Sequence, residues 1–331
     1  MSEQGDRALF AYMRWAKQQG EGIRYNLAQS GLTPPSEGLR LDSATLDLTQ
    51  RSGDMPPEAR AALAERFGVD PEQVMLTLGC SQALHLLCAT HLRRGSTCFV
   101  ESPVYEALPG LVRLFGGEVQ TISRRFDDAY ALPADLPERI RAARPSMVLL
   151  TNPHNPSGAH HELELLRPIA EATTEVGGLL VIDEVYLEFV QAVAERSACR
   201  LEGRVATVSS LTKAYGLGML RFGWIVAPAA IIERAIHYND YVSVVYPNPS
   251  AAFGLQALAQ IDALSQRAVD VRERNVPIMR SWMETRDDIS WHAPDIGIVG
   301  FPKIHQLNDT RDFCEGLARR YGERTVFERG L

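Results

Sequence analysis

The 331-residue chain lacks several features that would assign it to other protein classes. It has no apolar run long enough to cross a membrane, and residues 1–6 lack the basic-then-apolar order of a signal peptide. We therefore predict no membrane partner and a cytoplasmic location. Its five cysteines are scattered, odd in number and without metal-ligand spacing, which is typical of cytosolic proteins and predicts no bound metal. The formal net charge of −7 argues against a nucleic-acid partner.

Nucleotide-binding motifs are also missing. The chain has no Gly-x-x-x-x-Gly-Lys-Ser/Thr run, and no Gly-x-Gly-x-x-Gly follows an apolar segment. A nucleotide-binding protein that uses residues 79–83 as a phosphate loop is therefore disfavoured. No repeat or low-complexity tract interrupts the chain, and a hydrophobic content of 45% over this length is enough for a large core.

The most informative positive feature is a lysine-containing run, SSLTKAYGLGMLRFG, at residues 209–223. It follows the β-rich segment 205–208 and places Lys213 between Ser210 and Arg221. Such a lysine could hold a phosphate directly, or it could form a Schiff base with a cofactor carbonyl. The like charge of Arg221 and partial burial would favour the neutral, nucleophilic amine.

Two apolar segments upstream each end in polar residues. The segment 147–150 is followed by the run TNPHNPSG, which carries Asn155, and the segment 179–182 is followed by Asp183 and Tyr186. This pattern is typical of parallel strands in an α/β sheet, whose carboxyl ends point into the ligand crevice. We expect five side chains to converge on one cleft: Asn155, Asp183, Tyr186, Lys213 and Arg221.

In order and spacing, these residues resemble the fold-type I pyridoxal-phosphate enzymes of the class I/II aminotransferase group. The resemblance runs from about residue 53 to about residue 324. It implies an α/β fold, with a doubly wound, mainly parallel sheet in a large domain and a smaller α+β domain. It also implies pyridoxal 5'-phosphate as cofactor, an amino acid and a 2-oxo acid as small-molecule substrates, and a homodimer.

The resemblance implies a role for each residue. Lys213 would form the Schiff base with the cofactor aldehyde and then move the substrate proton. Asp183 would pair with the protonated ring nitrogen, which keeps the ring an electron sink. Asn155 and Tyr186 would donate to the phenolic oxygen of the ring. Ser210 and Arg221 would hold the phosphate, Arg221 through a bidentate charged contact.

Two further segments carry candidate cofactor contacts. In the run GCSQAL at residues 79–84, a helix begins whose free N–H groups near Cys80 and Ser81 would form a phosphate cup. The same run also fits an ordinary capped helix. In the run TCFVESPVY at residues 97–105, the resemblance makes Tyr105 the residue that stacks on the pyridine face. A tyrosine packed under a loop is the alternative.

The chain departs from the family pattern in two places. Members usually have a tyrosine, shortly before the segment matching residues 53–54, that reaches the neighbouring subunit's phosphate. This chain has none there, so either Gln50 or Arg51 substitutes for it or the contact is absent. Members also continue for some tens of residues and carry a strand arginine that grips the substrate carboxylate. We expect no arginine after Gly300 to lie in a strand: Arg311, Arg319, Arg320 and Arg324 are assigned to a helix and its exit, and Arg329 is only the nearest later arginine. We therefore expect a longer natural chain or a replacement arginine, and poor turnover of ordinary amino acids by this chain alone.

The chain divides into predicted units. We assign residues 45–265 to the large cofactor-binding domain and residues 1–44 plus 266–331 to an N-terminal segment and an incomplete small domain. Within the second unit we predict a polar helix at 7–18, a Gly-rich strand at 297–304 and a helix at 309–321. A long, nearly continuous helix at 250–283 would link the two domains.

Three functions follow from these patterns. The first is an aminotransferase. The second is a pyridoxal-phosphate lyase or cyclase, since the segment 238–249 and the strand near Gly300 are similar to the capreomycidine synthases, although a tyrosine-rich loop equally fits a dimer interface. The third is a non-catalytic cofactor-binding protein, which the absent arginine favours and which Lys213 and Asp183 disfavour.

Overall fold

The computed structural model describes residues 10–17, 25–35, 37, 39–47, 49, 55–307, 309–321 and 323–324. The strands are β1 Tyr25–Asn26, β2 Val74–Leu78, β3 Thr97–Ser102, β4 Glu118–Ser123, β5 Met147–Thr151, β6 Leu179–Asp183, β7 Val205–Ser210, β8 Phe222–Val226, β9 Ile289–Ser290, β10 Lys303–Ile304 and β11 Glu323–Arg324. The helices are α1 Ala11–Lys17, α2 Pro57–Phe67, α3 Cys80–His91, α4 Ala107–Leu114, α5 Leu136–Ala143, α6 Leu163–Glu175, α7 Val193–Arg196, α8 Ala229–Asn239, α9 Asn248–Leu258, α10 Ile261–Met283 and α11 Arg311–Tyr321.

Seven strands form the central sheet, in the order β2-β8-β7-β6-β5-β3-β4. Strand β8 runs antiparallel to its neighbours β2 and β7, and the other pairs are parallel. Every residue of β5, β6 and β7 is buried. Strands of this kind are covered on both faces, which agrees with the runs of four apolar residues in β5 and β6. The predicted α/β fold with a mainly parallel sheet is confirmed.

Helices cover both faces of the sheet because successive strand residues point to opposite sides. Leu149 and Val181 pack with α3, α4 and α8 on one face. Their neighbours Leu150 and Ile182 pack with α5 and α6 on the other. At the β2–β8 end, Trp224 joins a third cluster with α2 and α9. None of the described helices is long and apolar enough to cross a membrane.

The predicted strand at 297–304 is wrong in its extent, because only Lys303–Ile304 pairs with another strand, β9. The preceding residues instead lie against the loop after β5. Asp295 donates its N–H to the Gly158 carbonyl at 3.2 Å. A Cβ on Gly158 would lie 2.4 Å from the Pro294 Cβ. This close approach, together with the left-handed φ of +87° at Gly297, keeps the segment out of a ladder.

At the C-terminal side, one expectation is confirmed and one is corrected. The linking helix is nearly continuous, as α9 and α10, with a break at residues 259–260, where Gln260 leaves the helical region with φ −116° and ψ 16°. The expectation that no arginine after Gly300 lies in a strand is wrong, since Arg324 lies in β11, which pairs in parallel with β1. The helix expected at 309–321 is α11, while the part of the predicted N-terminal helix that is described is α1. The domain boundaries at 45 and 265 stay a prediction.

Candidate active site

The candidate site lies at the carboxyl ends of β5, β6 and β7. Asp183 closes β6, and its register partners are Thr151 at the end of β5 and Val208 in β7. Asn155 and Lys213 follow the ends of β5 and β7 within a few residues. Carboxyl ends of neighbouring parallel strands share one edge of a sheet, so these side chains belong to loops that start side by side.

Lys213 lies in a largely buried setting. Its Nζ donates to the hydroxyl oxygen of Ser30 at 2.5 Å, and its carbonyl accepts the N–H of Leu32 at 2.8 Å. Burial lowers the pKa of Lys213, while the nearby Cys80 and Asp183 act in the opposite direction. A lowered pKa increases the fraction of neutral amine, which is the nucleophilic form.

Asp183 is a buried carboxylate with few partners. One oxygen accepts the N–H of Val185 at 3.0 Å. Burial raises the pKa of Asp183 to about 6, although that hydrogen bond and the nearby Lys213 lower it. A carboxylate held in this way gains most from a further cationic partner.

Tyr186 and Asn155 border the same region. The buried Tyr186 donates its hydroxyl to the Ser30 carbonyl at 2.7 Å, and burial raises its pKa. The Asn155 N–H donates to Thr151 Oγ1 at 2.9 Å. Its side-chain amide makes no hydrogen bond within the described part of the chain and is therefore free to bind a ligand.

The start of α3 and Arg221 form a second group of donors. Arg221 donates from Nη2 to the Leu78 carbonyl at 2.6 Å and from Nη1 to the Gly218 carbonyl at 3.2 Å. A Cβ on Gly79 would lie 2.6 Å from Arg221 Nη2, so glycine is needed where the guanidinium approaches the helix. Ser81, in the first turn of α3, is an exposed residue. A guanidinium beside a helix N-terminus favours an anion such as phosphate.

Cys80 and Ser210 lie beside these donors and are joined by a hydrogen bond. Ser210 closes β7 and is buried, and its hydroxyl oxygen accepts the Thr212 N–H at 3.3 Å. Burial raises the pKa of the Cys80 thiol well above its usual value, although a hydrogen bond with Ser210 lowers it. The thiol is therefore neutral and can serve at most as a weak donor.

Tyr105 lies against helix α1. Its ring centroid is 5.6 Å from that of Phe10 and 5.8 Å from that of Tyr12. The adjacent Glu106 carboxylate accepts the N–H groups of Ala11 at 3.3 Å and Tyr12 at 2.6 Å. Burial raises the pKa of Tyr105. Its role as the stacking residue stays a prediction.

Sequence reasoning missed Ser30, which contacts both Lys213 and Tyr186. It also missed a buried ion pair at 2.7 Å between Glu101, in β3, and Arg124. Thr151 donates its N–H and hydroxyl to Glu101, each at 2.6 Å, so this pair supports the loop that carries Asn155. Gln50, Arg51 and Arg329 lie outside the described residues.

The arrangement fits pyridoxal phosphate, group by group. A partly buried amine suits its aldehyde, and a buried carboxylate suits a protonated ring nitrogen. The phosphate matches Arg221 and the glycine-lined start of α3, where any larger residue at position 79 would fill the space.

Comparison with known proteins places the chain in a family. The family model for aminotransferases of class I and II matches residues 40–322. The chain therefore belongs to the class I and II aminotransferase family. This membership confirms the expected cofactor, pyridoxal 5'-phosphate.

Curated relatives include enzymes of two kinds. Capreomycidine synthase from Streptomyces vinaceus is 28% identical over 268 residues, which cover 80% of this chain and 68% of that protein. Histidinol-phosphate aminotransferase from Haloarcula marismortui is 36% identical over 208 residues, which cover 63% of this chain and 56% of that protein. The matched part of the chain thus spans 56% to 68% of the length of these two relatives.

Solved structures share the fold. A pyridoxal-phosphate-dependent aminotransferase from Streptococcus suis superposes with a TM-score of 0.81 at 22% identity, over 97% of this chain and 89% of that one. The pyridoxal-phosphate-dependent cyclase OrfR superposes with a TM-score of 0.80 at 23% identity, over 94% and 86% of the two chains. The overall architecture is therefore that of fold-type I enzymes.

Proposed function

We propose that the protein is an aminotransferase that moves the amino group between an amino acid and a 2-oxo acid. The observation that carries this proposal is that Lys213, a partly buried amine with a lowered pKa, and Asp183, a buried carboxylate, influence each other's charge at neighbouring strand ends. Groups whose pKa values are shifted by burial and by one another are characteristic of catalytic sites. The family match supports the same assignment.

Each residue then has a defined task. When bound, pyridoxal phosphate supplies an aldehyde that condenses with amines and a ring that withdraws electrons from the α-carbon. The Lys213 Nζ takes the α-proton and later returns it, and its lowered pKa increases the fraction of neutral amine that can act as a base. The Asp183 carboxylate holds positive charge on the ring nitrogen. Asn155, Tyr186 and Tyr105 are proposed to orient the ring, and the phosphate contacts are Cys80, Ser81, Ser210 and Arg221.

A half-reaction tests this function. The cofactor-loaded protein is mixed with single amino acids, without any oxo acid, and the 2-oxo acid formed is counted. An aminotransferase yields at most one product per site and stops until an oxo acid is added. Asp183→Asn should lower the rate about a hundredfold or more, because it removes the charge partner of the ring. No 2-oxo acid formed and no amino acid consumed, with any amino acid tested, would favour a non-catalytic cofactor-binding protein.

A cyclase or lyase is the second candidate. Its support is the likeness to capreomycidine synthase, which extends over 80% of the chain. Such an enzyme needs no oxo acid, so in the same mixture the amino acid would be consumed over many turnovers while the cofactor stays in the aldehyde form. Continuous turnover without an oxo acid would therefore replace the aminotransferase proposal with this one.

We also propose a homodimer in the cytoplasm. The supporting surface is the loop after α8, where Tyr241 is 90% exposed and Val242, Val244 and Val245 are about half exposed or more. Clustered exposed apolar side chains favour a protein partner. Gln82, one residue after Ser81, donates to Ser243 Oγ at 2.8 Å, so this loop lies next to the proposed phosphate contacts. The five cysteines are free, which supports a reducing compartment.

A further inference from the structure

Three consecutive residues, Ser30, Gly31 and Leu32, contact Lys213 at three places. The Ser30 hydroxyl oxygen accepts from the Lys213 Nζ at 2.5 Å, and the Leu32 N–H donates to the Lys213 carbonyl at 2.8 Å. Between them, a Cβ on Gly31 would lie 3.1 Å from the Lys213 Cα and carbonyl oxygen. The segment thus binds both the amine and the backbone of one lysine.

The segment is itself fixed from two other sides. The Tyr186 hydroxyl donates to the Ser30 carbonyl at 2.7 Å. Downstream, Arg267 Nη2 donates to the Thr33 carbonyl at 3.0 Å. Gly216, with φ +71°, allows the same carbonyl to approach, because a Cβ there would lie 2.3 Å from the Thr33 oxygen. The Ser30 hydroxyl therefore faces Lys213 from a braced backbone, and the contact does not depend on a freely rotating loop.

We propose that Ser30 is the positioning residue for Lys213: its hydroxyl holds the amine in one direction and favours the protonated form over the neutral one. The use of that amine in catalysis rests on the proposed function, but the contact itself does not. An ammonium that donates to a hydroxyl gains more than a neutral amine does, so the contact opposes the effect of burial. Ser30 would in this way set the pH range in which Lys213 becomes a base.

The test is the pH profile of Lys213 reactivity in the cofactor-free protein of 331 residues. Each lysine is acetylated by a trace of acetic anhydride at a series of pH values, and the modified peptides are quantified by mass spectrometry. The sequence contains two other lysines, Lys17 and Lys303, both exposed, which serve as internal references. The variants are Ser30→Ala, Ser30→Thr and, as a matched control on an exposed neighbour, Gln29→Ala.

We expect the midpoint of the Lys213 profile to fall by about one pH unit in Ser30→Ala, since the ammonium loses its acceptor. Ser30→Thr, which keeps a hydroxyl, and Gln29→Ala should keep the midpoint of the parent protein. Lys17 and Lys303 should titrate alike in all four proteins. A midpoint unchanged in Ser30→Ala, or lowered equally in Ser30→Thr or Gln29→Ala, would overturn the proposal.

A replacement variant covers the case in which Ser30→Ala does not fold, and a second measurement separates this proposal from the proposed function. If circular dichroism shows that Ser30→Ala does not fold, Tyr186→Phe replaces it, because it releases the Ser30 carbonyl and should lower the midpoint in the same direction by a smaller amount. No shift in Tyr186→Phe would then contradict the proposal. If the midpoint falls as expected but reduction of the loaded parent protein leaves no cofactor on Lys213, only the proposed function fails.

Discussion

At the scale of single residues, burial and charge act against each other at Asp183. The carboxylate receives one backbone N–H within the described structure, from Val185, and burial raises its pKa to about 6. A cationic ring nitrogen would supply the missing partner and return the carboxylate to its charged form. The site is therefore complementary to a protonated pyridine before any ligand enters it.

This imbalance predicts a pH dependence of cofactor binding. As the pH falls through about 6, Asp183 takes up a proton and can no longer pair with the ring nitrogen, so the affinity for pyridoxal phosphate should decrease. Titrations of the cofactor-free protein between pH 5 and pH 8 measure this effect. Asp183→Asn is the control and should show a weaker affinity with little change over that range. Equal affinity of the parent protein at both ends would contradict the assignment of Asp183.

Sequence reasoning predicted some of these residues and missed others for a physical reason. Asp183 closes strand β6 and Lys213 comes three residues after strand β7, and strand order in a parallel sheet brings such positions together. Ser30 precedes Lys213 by 183 residues and lies in a segment without periodicity, so its contact depends on how a loop crosses the finished fold. Side-chain partners across such distances leave no local pattern.

At the scale of elements, Glu184 connects the end of β6 to the turn after α7. The Ser197 hydroxyl and the Ala198 N–H each donate to the Glu184 carboxylate at 2.6 Å. Burial nevertheless raises the pKa of Glu184 to about 8, and the nearby Glu188 and Asp183 act in the same direction. The folded protein therefore prefers this side chain protonated at neutral pH.

The stability of the protein should reflect that preference. An unfolded glutamate loses its proton near pH 4.3, whereas folded Glu184 keeps it to about pH 8. Between these values the folded state binds the extra proton, so its contribution to stability is lost as the pH rises. We compare the free energy of unfolding of Glu184→Gln with that of the parent protein at pH 5 and at pH 8. On going from pH 5 to pH 8, this difference should shift by about 1 kcal/mol or more in favour of Glu184→Gln. Urea unfolding at both pH values measures this, and a constant difference would show that Glu184 is charged in the fold.

Elements differed in how well their sequence predicted them. The strands β5, β6 and β7 are buried on both faces, and in β5 and β6 a run of four apolar residues is enough to identify them. The segment 297–304 also looks apolar, but it packs against Gly158 and forms only the short strand β10. Its conformation depends on this contact with a distant part of the chain, which cannot be predicted from the residues of the segment itself.

At the scale of the whole molecule, the exposed apolar loop after α8 favours the assembly of two chains through this surface. We expect a homodimer at micromolar concentration by sedimentation velocity. The double variant Tyr241→Glu/Val245→Glu should be mostly monomeric, because it places charge in the proposed interface. Leu165→Glu is the matched control, since Leu165 is an equally apolar and 63% exposed side chain on α6. A parent protein that is monomeric and still holds the cofactor would exclude this interface.

The central claim is that Lys213 is the residue that binds the cofactor covalently, and one measurement tests it most directly. The protein is saturated with pyridoxal phosphate, reduced with borohydride, digested and mapped by mass spectrometry. The sequence offers three lysines, at positions 17, 213 and 303, so the assignment is unambiguous. We predict one adduct per chain, on Lys213, and none in Lys213→Ala. An adduct on Lys17 or Lys303, or none on the saturated parent protein, would contradict the account.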